Sequence, residues 1–267
     1  MFSRKLFVSI VITSLVVMMV SGAVYGEISV EGELYRERAV QTGQSYNGTI
    51  TVSNKGSTRV TVKVYQTDYQ TDASGRVDYG EPGEQKRSSA NWIKLDQDRL
   101  QVAPGARKSF RYDVVVPEGD LAGSYWSTIM VEPLPGGSET TQQSGTTLTQ
   151  TVRYCVKLVT HIGDTGKSAL EIVGVDLSQK DEEIFLNVGA KNTGTRVIYP
   201  EVWAEIYNRE TGEKLGRFEG GRQHVFPGSS VGYNIGLSDI SKGSYRTMLV
   251  FDNGDENVWG AQFKLNI

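Results

Sequence analysis

Apolar and polar residues alternate along most of the chain. Thr49-Ile50-Thr51-Val52, Val60-Thr61-Val62-Lys63-Val64-Tyr65, Phe110-Arg111-Tyr112-Asp113-Val114 and Ile184-Phe185-Leu186-Asn187-Val188 carry apolar side chains at every second position or nearly so. A period of two sends successive side chains to opposite faces of an extended backbone, so each segment predicts a half-buried antiparallel strand. Between them, Asn54-Lys55-Gly56-Ser57, Asp72-Ala73-Ser74-Gly75, Glu210-Thr211-Gly212-Glu213 and Asp252-Asn253-Gly254-Asp255 supply residues that tolerate the positive φ of tight turns. Beyond residue 26 no stretch sustains a helical period, and the pattern predicts an all-β chain.

The first 26 residues break the alternation. Arg4 and Lys5 precede an apolar run, which ends in the small-residue stretch Ser21-Gly22-Ala23-Val24-Tyr25-Gly26. That order predicts a cleaved secretory signal, with cleavage after Ala23 or Gly26. Ser9, Thr13 and Ser14 interrupt the run and leave it short of the roughly 20 residues of a comfortable spanning helix. The expected destination is periplasmic or otherwise extracytoplasmic.

The pattern also repeats. Asn54-Lys55-Gly56-Ser57-Thr58-Arg59-Val60 is echoed by Asn192-Thr193-Gly194-Thr195-Arg196-Val197. Val102-Ala103-Pro104-Gly105 returns as Val225-Phe226-Pro227-Gly228, and Gly123-Ser124-Tyr125 as Gly243-Ser244-Tyr245. The order is kept, with offsets of 138, 123 and 120 residues. Two copies of one β-plan therefore follow each other, the first with an insertion between its first two echoed elements. About seven short strands per copy predict two tandem immunoglobulin-like β-sandwich domains. The expected division is a signal over 1–26, domain one over 27–162, a Gly-rich polar linker over 163–168 and domain two over 169–267.

Charge and cysteine narrow the partners. Loss of residues 1–26 takes the chain from 28 basic and 31 acidic residues to 26 and 31, a net charge of −5. Interspersed signs at a weakly acidic balance give no footprint for nucleic acid and no polybasic membrane patch. With one cysteine, Cys155, the chain has no intramolecular disulfide, and each sandwich must stand on its core.

No catalytic or cofactor site is expected. Gly163-Asp164-Thr165-Gly166-Lys167-Ser168 looks like a phosphate loop but has His161 where its first Gly belongs and a strand, not a helix, after the Lys. The Asp252–Asn257 segment lacks calcium-loop spacing and reads as a hairpin turn. Two histidines, His161 and His224, and one thiol are too few for a His-based zinc site. Composition leaves a Ser-His-Asp arrangement open, but no Ser sits in a G-x-S-x-G elbow. Trp92, Trp126, Trp203 and Trp259, with Tyr125 and Tyr245, lie in strand-like patterns and are expected in the core. Cys155 is expected to act as a buried small hydrophobe.

Three passages resemble the periplasmic pilus (fimbrial) chaperones. They are Arg36-Glu37-Arg38-Ala39-Val40 ahead of a strand-turn-strand unit, Ser124-Tyr125-Trp126-Ser127-Thr128-Ile129-Met130-Val131-Glu132-Pro133-Leu134-Pro135, and residues 148–159 before the linker. The resemblance implies a non-enzymatic chaperone that caps an exported pilus or surface subunit by strand addition. It implies that Arg38 and Lys157 face the cleft between the domains and hold the subunit's terminal carboxylate. The donated strand would present Leu148, Val152, Tyr154, Val156 and Leu158 on one face. The chain departs from the family in lacking an Arg-Pro after that strand and in placing Gln150 within its apolar face. Asp68 to Gly80, Asn91-Trp92-Ile93-Lys94-Leu95 and Val116-Pro117-Glu118-Gly119 also resemble WxL-interacting cell-surface proteins. That second resemblance implies an envelope adhesion module binding wall polymer or surface proteins.

Overall fold

In the computed structural model residues 28–134, 152–181, 183–238 and 240–267 are described. The predicted signal, Leu148 and the polar loop before it lie outside them. The fold is two β-sandwiches in tandem, as the alternation predicts.

The first is built from β1 (Ile28–Glu31), β2 (Tyr35–Val40), β3 (Ser45–Asn54), β4 (Val60–Thr67), β5 (Gln70–Thr71), β6 (Val77–Asp78), β7 (Ile93–Leu95), β8 (Arg99–Val102), β9 (Arg107–Val115), β10 (Gly123–Pro133) and β11 (Tyr154–Ile162). One sheet runs β1-β3-β9-β7 and the facing one β2-β11-β10-β4-β8. The inward residues of the alternating strands meet between them: Ile50 and Val52 of β3, Val62 and Val64 of β4, Phe110, Tyr112 and Val114 of β9, Ile129 and Val131 of β10. The second sandwich comprises β12 (Leu170–Lys180), β13 (Glu183–Asn192), β14 (Glu201–Asn208), β15 (Lys214–Arg222), β16 (Ser230–Gly236), β17 (Ser244–Asp252) and β18 (Val258–Asn266). Its sheets, β12-β13-β16 and β15-β14-β17-β18, enclose a separate core around Leu186, Val188, Val202, Ile206, Tyr233, Leu249 and Phe251.

The repeat is the same hydrogen-bond clamp made twice. Asn54 and Asn192 are buried, and their side-chain amides donate to Thr58 O at 2.7 Å and Val102 O at 3.0 Å, and to Arg196 O and Val225 O at 2.7 Å. Each side-chain oxygen accepts from a backbone N–H two residues on, Gly56 or Gly194, at 2.9 Å. Gly105 N–H donates to Asn54 O and Gly228 N–H to Asn192 O, which pins the Pro-Gly turn to the Asn turn in both copies. An amide that satisfies two carbonyls, one of them buried, and a turn N–H explains why Asn recurs at this place.

The copies differ where the insertion was predicted. Between β4 and β8 the first carries the β5–β6 hairpin, a 3-10 turn at Ala90–Trp92 and β7. The tip of that hairpin reaches the second sandwich, where Ala73 O would lie 2.5 Å from a β-carbon placed on Gly232. The first copy also has β2. At Gly32, φ +85°, the chain leaves β1 and crosses to the other sheet, where β2 pairs in parallel with β11. Among the described residues the second sandwich has no such strand, and β18 ends its sheet.

Candidate functional site at the junction and the last strand of the first sandwich

β11 lies between β10, antiparallel along all nine of its residues, and β2, parallel from Lys157 to Ile162. Pairing with β2 opens with Lys157 N–H donating to Leu34 O at 2.7 Å. Tyr154, Cys155 and Val156 therefore have a strand neighbour on one side only among the described residues. Leu34 and Tyr79 line an exposed groove of about 290 Å³ beside this open edge, together with Cys155 and Lys157, and Val152 stands exposed just before the strand.

The strand's apolar face is not free, which corrects the expected partner-binding set. Val156 and Leu158 are 0% and 2% exposed and belong to the first sandwich's own core. Tyr154 packs beside them and its hydroxyl donates to Ile28 O at 2.9 Å. Strand alternation sends one face inward, and this sandwich already fills that face. Of the five expected side chains only Val152 is exposed, and Leu148 is outside the described residues.

Arg38 and Lys157 also part. In the β2–β11 register Arg38 lies opposite Thr160 and Tyr35 opposite Lys157. Register partners share a face, so Arg38 is on the inward face with Leu158 and Thr160, while Lys157 is on the outward face with Val159 and His161. Arg38 lines an open groove of about 510 Å³ with Tyr46 and Tyr112. Lys157 sits over the Tyr69 ring, 4.4 Å from its centre, on the side of the second sandwich. The strand runs between the two cations.

What the outward face does hold is the junction. Phe226, from the second Pro-Gly turn, packs against Trp126, Tyr69 and Val159 in a third apolar cluster that spans both sandwiches. Trp126 is thus buried as expected, but between the sandwiches rather than within one. Cys155 packs at the cluster's margin, half-buried, where burial pushes its thiol up against the pull of Tyr79 and Lys157. The His224 ring stacks between Tyr35 and Tyr199 at 3.8 and 4.1 Å, and Arg222 covers Tyr199. Burial pushes His224 down to about 4; Glu37 opposes the shift, and Lys157 and Arg222 add to it.

Backbone also crosses the junction. Ser124 N–H donates to Thr195 O at 2.8 Å and Val197 N–H to Ser124 Oγ at 2.9 Å. The approach is so close that a β-carbon on Gly123, φ +78°, would fall 2.1 Å from Thr195 O. His161 Nδ1 lies 2.8 Å from Ser124 Oγ, and its Nε2 3.3 Å from Glu37 Oε2. A hydroxyl, an imidazole and a carboxylate in line look like a nucleophile and its base, but Ser124 is fully buried and its oxygen already accepts from Val197. Ser124 Oγ shares a hydrogen bond with His161 Nδ1, and the other ring nitrogen faces Glu37. The line orders the junction.

Among the described residues no group of three or more His, Cys, Asp or Glu side chains is placed to hold a metal ion. In the Asp252–Asn257 turn the oxygens are used internally: Gly254 N–H donates to Asp252 Oδ1 and Asn257 N–H to Asp255 Oδ1, both at 2.8 Å. Apart from the repeat, no motif or spacing in the chain marks Phe226, Tyr35, Tyr199 or Ser124 as a site residue. The signal for Phe226 was the repeat itself, which sets it where the first copy has Ala103.

No protein-family model matches the chain, and no curated protein does. Solved structures do. The class 5 fimbriae chaperone CfaA shares 10% identity at a TM-score of 0.46, over 88% of this chain and 98% of that one. The CsuC–CsuE chaperone–tip adhesion subunit pre-assembly complex from the Csu pili of Acinetobacter baumannii gives 13% and 0.44, over 88% and 97%. The E. coli chaperone DraB gives 14% and 0.41, over 90% and 98%. Among the described residues no helix is long and apolar enough to cross a membrane.

Proposed function

We propose that this protein is an exported, non-catalytic binding protein that caps a secreted subunit by pairing a strand of it with the open edge of β11. The observation that carries the reading is a strand half-covered among the described residues. β2 stops at Lys157, and the edge above it borders the groove holding Leu34 and Tyr79, with Val152 exposed beside it. Unpaired backbone donors and acceptors next to exposed apolar side chains are what strand addition uses, the backbone for affinity and the side chains for selection. Residues 27–162 and 169–267 act in this reading as two units joined by 163–168. Lys157 is the cation on the side facing the second unit, and Arg38 does not share its role.

A photo-crosslinking residue placed at Val152, in the full chain exposed to its own extracytoplasmic fraction, tests the proposal. A discrete adduct with one secreted protein is expected at 152 and not at Val173, an exposed residue of β12. Equal adducts at both positions, or none at 152, would remove the reading.

A further inference from the structure

The outer face of the second sandwich carries a group of cations that have no ion-pair partner among the described residues. In the register of β14, β17 and β18, Tyr207 lies opposite Arg246 and Arg246 opposite Lys264. Directly opposed like charges on neighbouring strands cost stability rather than contribute to it. Arg209, from the turn after β14, joins them around a groove of about 430 Å³, with Asn208 and Gln262 also in its wall and no carboxylate. None of the three cations has an acidic partner among the described residues, although the chain as a whole is acidic, at −3. The carboxylate one row along β14, Glu205, is taken by Lys214 at 2.7 Å and by the Tyr207 hydroxyl at 2.5 Å. The Arg246 guanidinium carbon itself lies over the Tyr207 ring, 5.0 Å from its centre, and the contact favours the guanidinium staying there.

We propose that this groove binds a multiply charged oxyanion. Arg246 and Lys264 would hold it from the sheet and Arg209 from the turn, with the Asn208 and Gln262 amides donating to the remaining oxygens. A guanidinium fork beside an ammonium suits clustered phosphate or carboxylate oxygens, and an anion between Arg246 and Lys264 removes the repulsion that the free sheet carries. The site shares no residue with the β11 edge, so it stands or falls separately from the capping function.

The test is calorimetric titration of the full chain with inorganic pyrophosphate and, separately, with citrate, at low ionic strength. At least one is expected to bind with a Kd below about 1 mM, and the double variant Arg246→Gln/Lys264→Gln to loosen it about tenfold or more. Pyrophosphate alone would assign a phosphate ligand, citrate alone a polycarboxylate, and both together a site that reads charge. The ligand-free double variant is expected to melt no lower than the parent, because it loses a like-charge pair. The proposal is overturned if neither anion binds at about 10 mM, or if the variant binds them as the parent does. It is also overturned if the variant melts several degrees lower, because the cations would then serve the fold.

Discussion

The two Pro-Gly turns share one backbone and differ in one side chain. Each is pinned by a buried Asn whose amide closes the neighbouring turn, with matching donors and acceptors throughout. Beside the proline, the first turn carries Ala103 and the second carries Phe226, which is 1% exposed and fills the cluster between the sandwiches. The clamp therefore specifies the turn, and the residue before the proline specifies whether the turn packs against another body. A repeated scaffold becomes a joint by one substitution.

Breaking the joint should have the largest effect. Phe226→Ala removes the ring that Trp126 and Tyr69 pack against and should cost about 3–5 kcal/mol, as buried Phe truncations do. The reverse change, Ala103→Phe, should cost little. Urea unfolding checks both, and a loss at Ala103→Phe equal to that at Phe226→Ala would erase the distinction. Breaking the clamp comes next. Asn54→Ala and Asn192→Ala each leave one buried carbonyl, Val102 O or Val225 O, without its side-chain donor and should each cost about 2–3 kcal/mol. If the clamp is one device used twice, the two losses agree, and unequal losses would show that context outweighs it.

The third effect is smaller and depends on pH. His224 titrates near 4 in the folded protein, below its ordinary 6.5, so the unfolded chain binds the extra proton first. Its stability contribution is thus complete above about pH 6.5 and is lost as pH falls toward 4, of order 2 kcal/mol after allowing for solvent screening. His224→Phe keeps a ring between Tyr35 and Tyr199 without the proton. The parent should lose stability relative to that variant between pH 6.5 and 4, and parallel curves would show that His224 does not sense pH.

The sandwiches and their repetition were legible because both are written locally. Val60 to Tyr65 shows its strand by alternation, and Asn54 and Asn192 show their clamp by standing at the same step of two equal patterns. The placement of Arg38 and Lys157 was not legible. Both stand on strands, as read, but which faces they share depends on the β2–β11 register, and a slip of one residue in that parallel pairing would invert the answer. Val156 and Leu158 were legible as one apolar face, but alternation alone does not say which body covers it. The Ser124–His161–Glu37 line joins three strands, and no spacing in the chain announces it.

The crossing at Gly32 has a consequence for the order in which the molecule can be made. β2 lies beside β11 only after about 120 intervening residues have been laid down, so a chain that emerges N-terminus first carries β2 without its neighbour until almost the whole first sandwich is present. Until then both the early strand and its late partner offer bare edges. Closure of the first sandwich is accordingly a late event, governed by the return of the chain's beginning to its middle, and a chain begun after Val40, past β2, would lose that closing step while keeping most of its core.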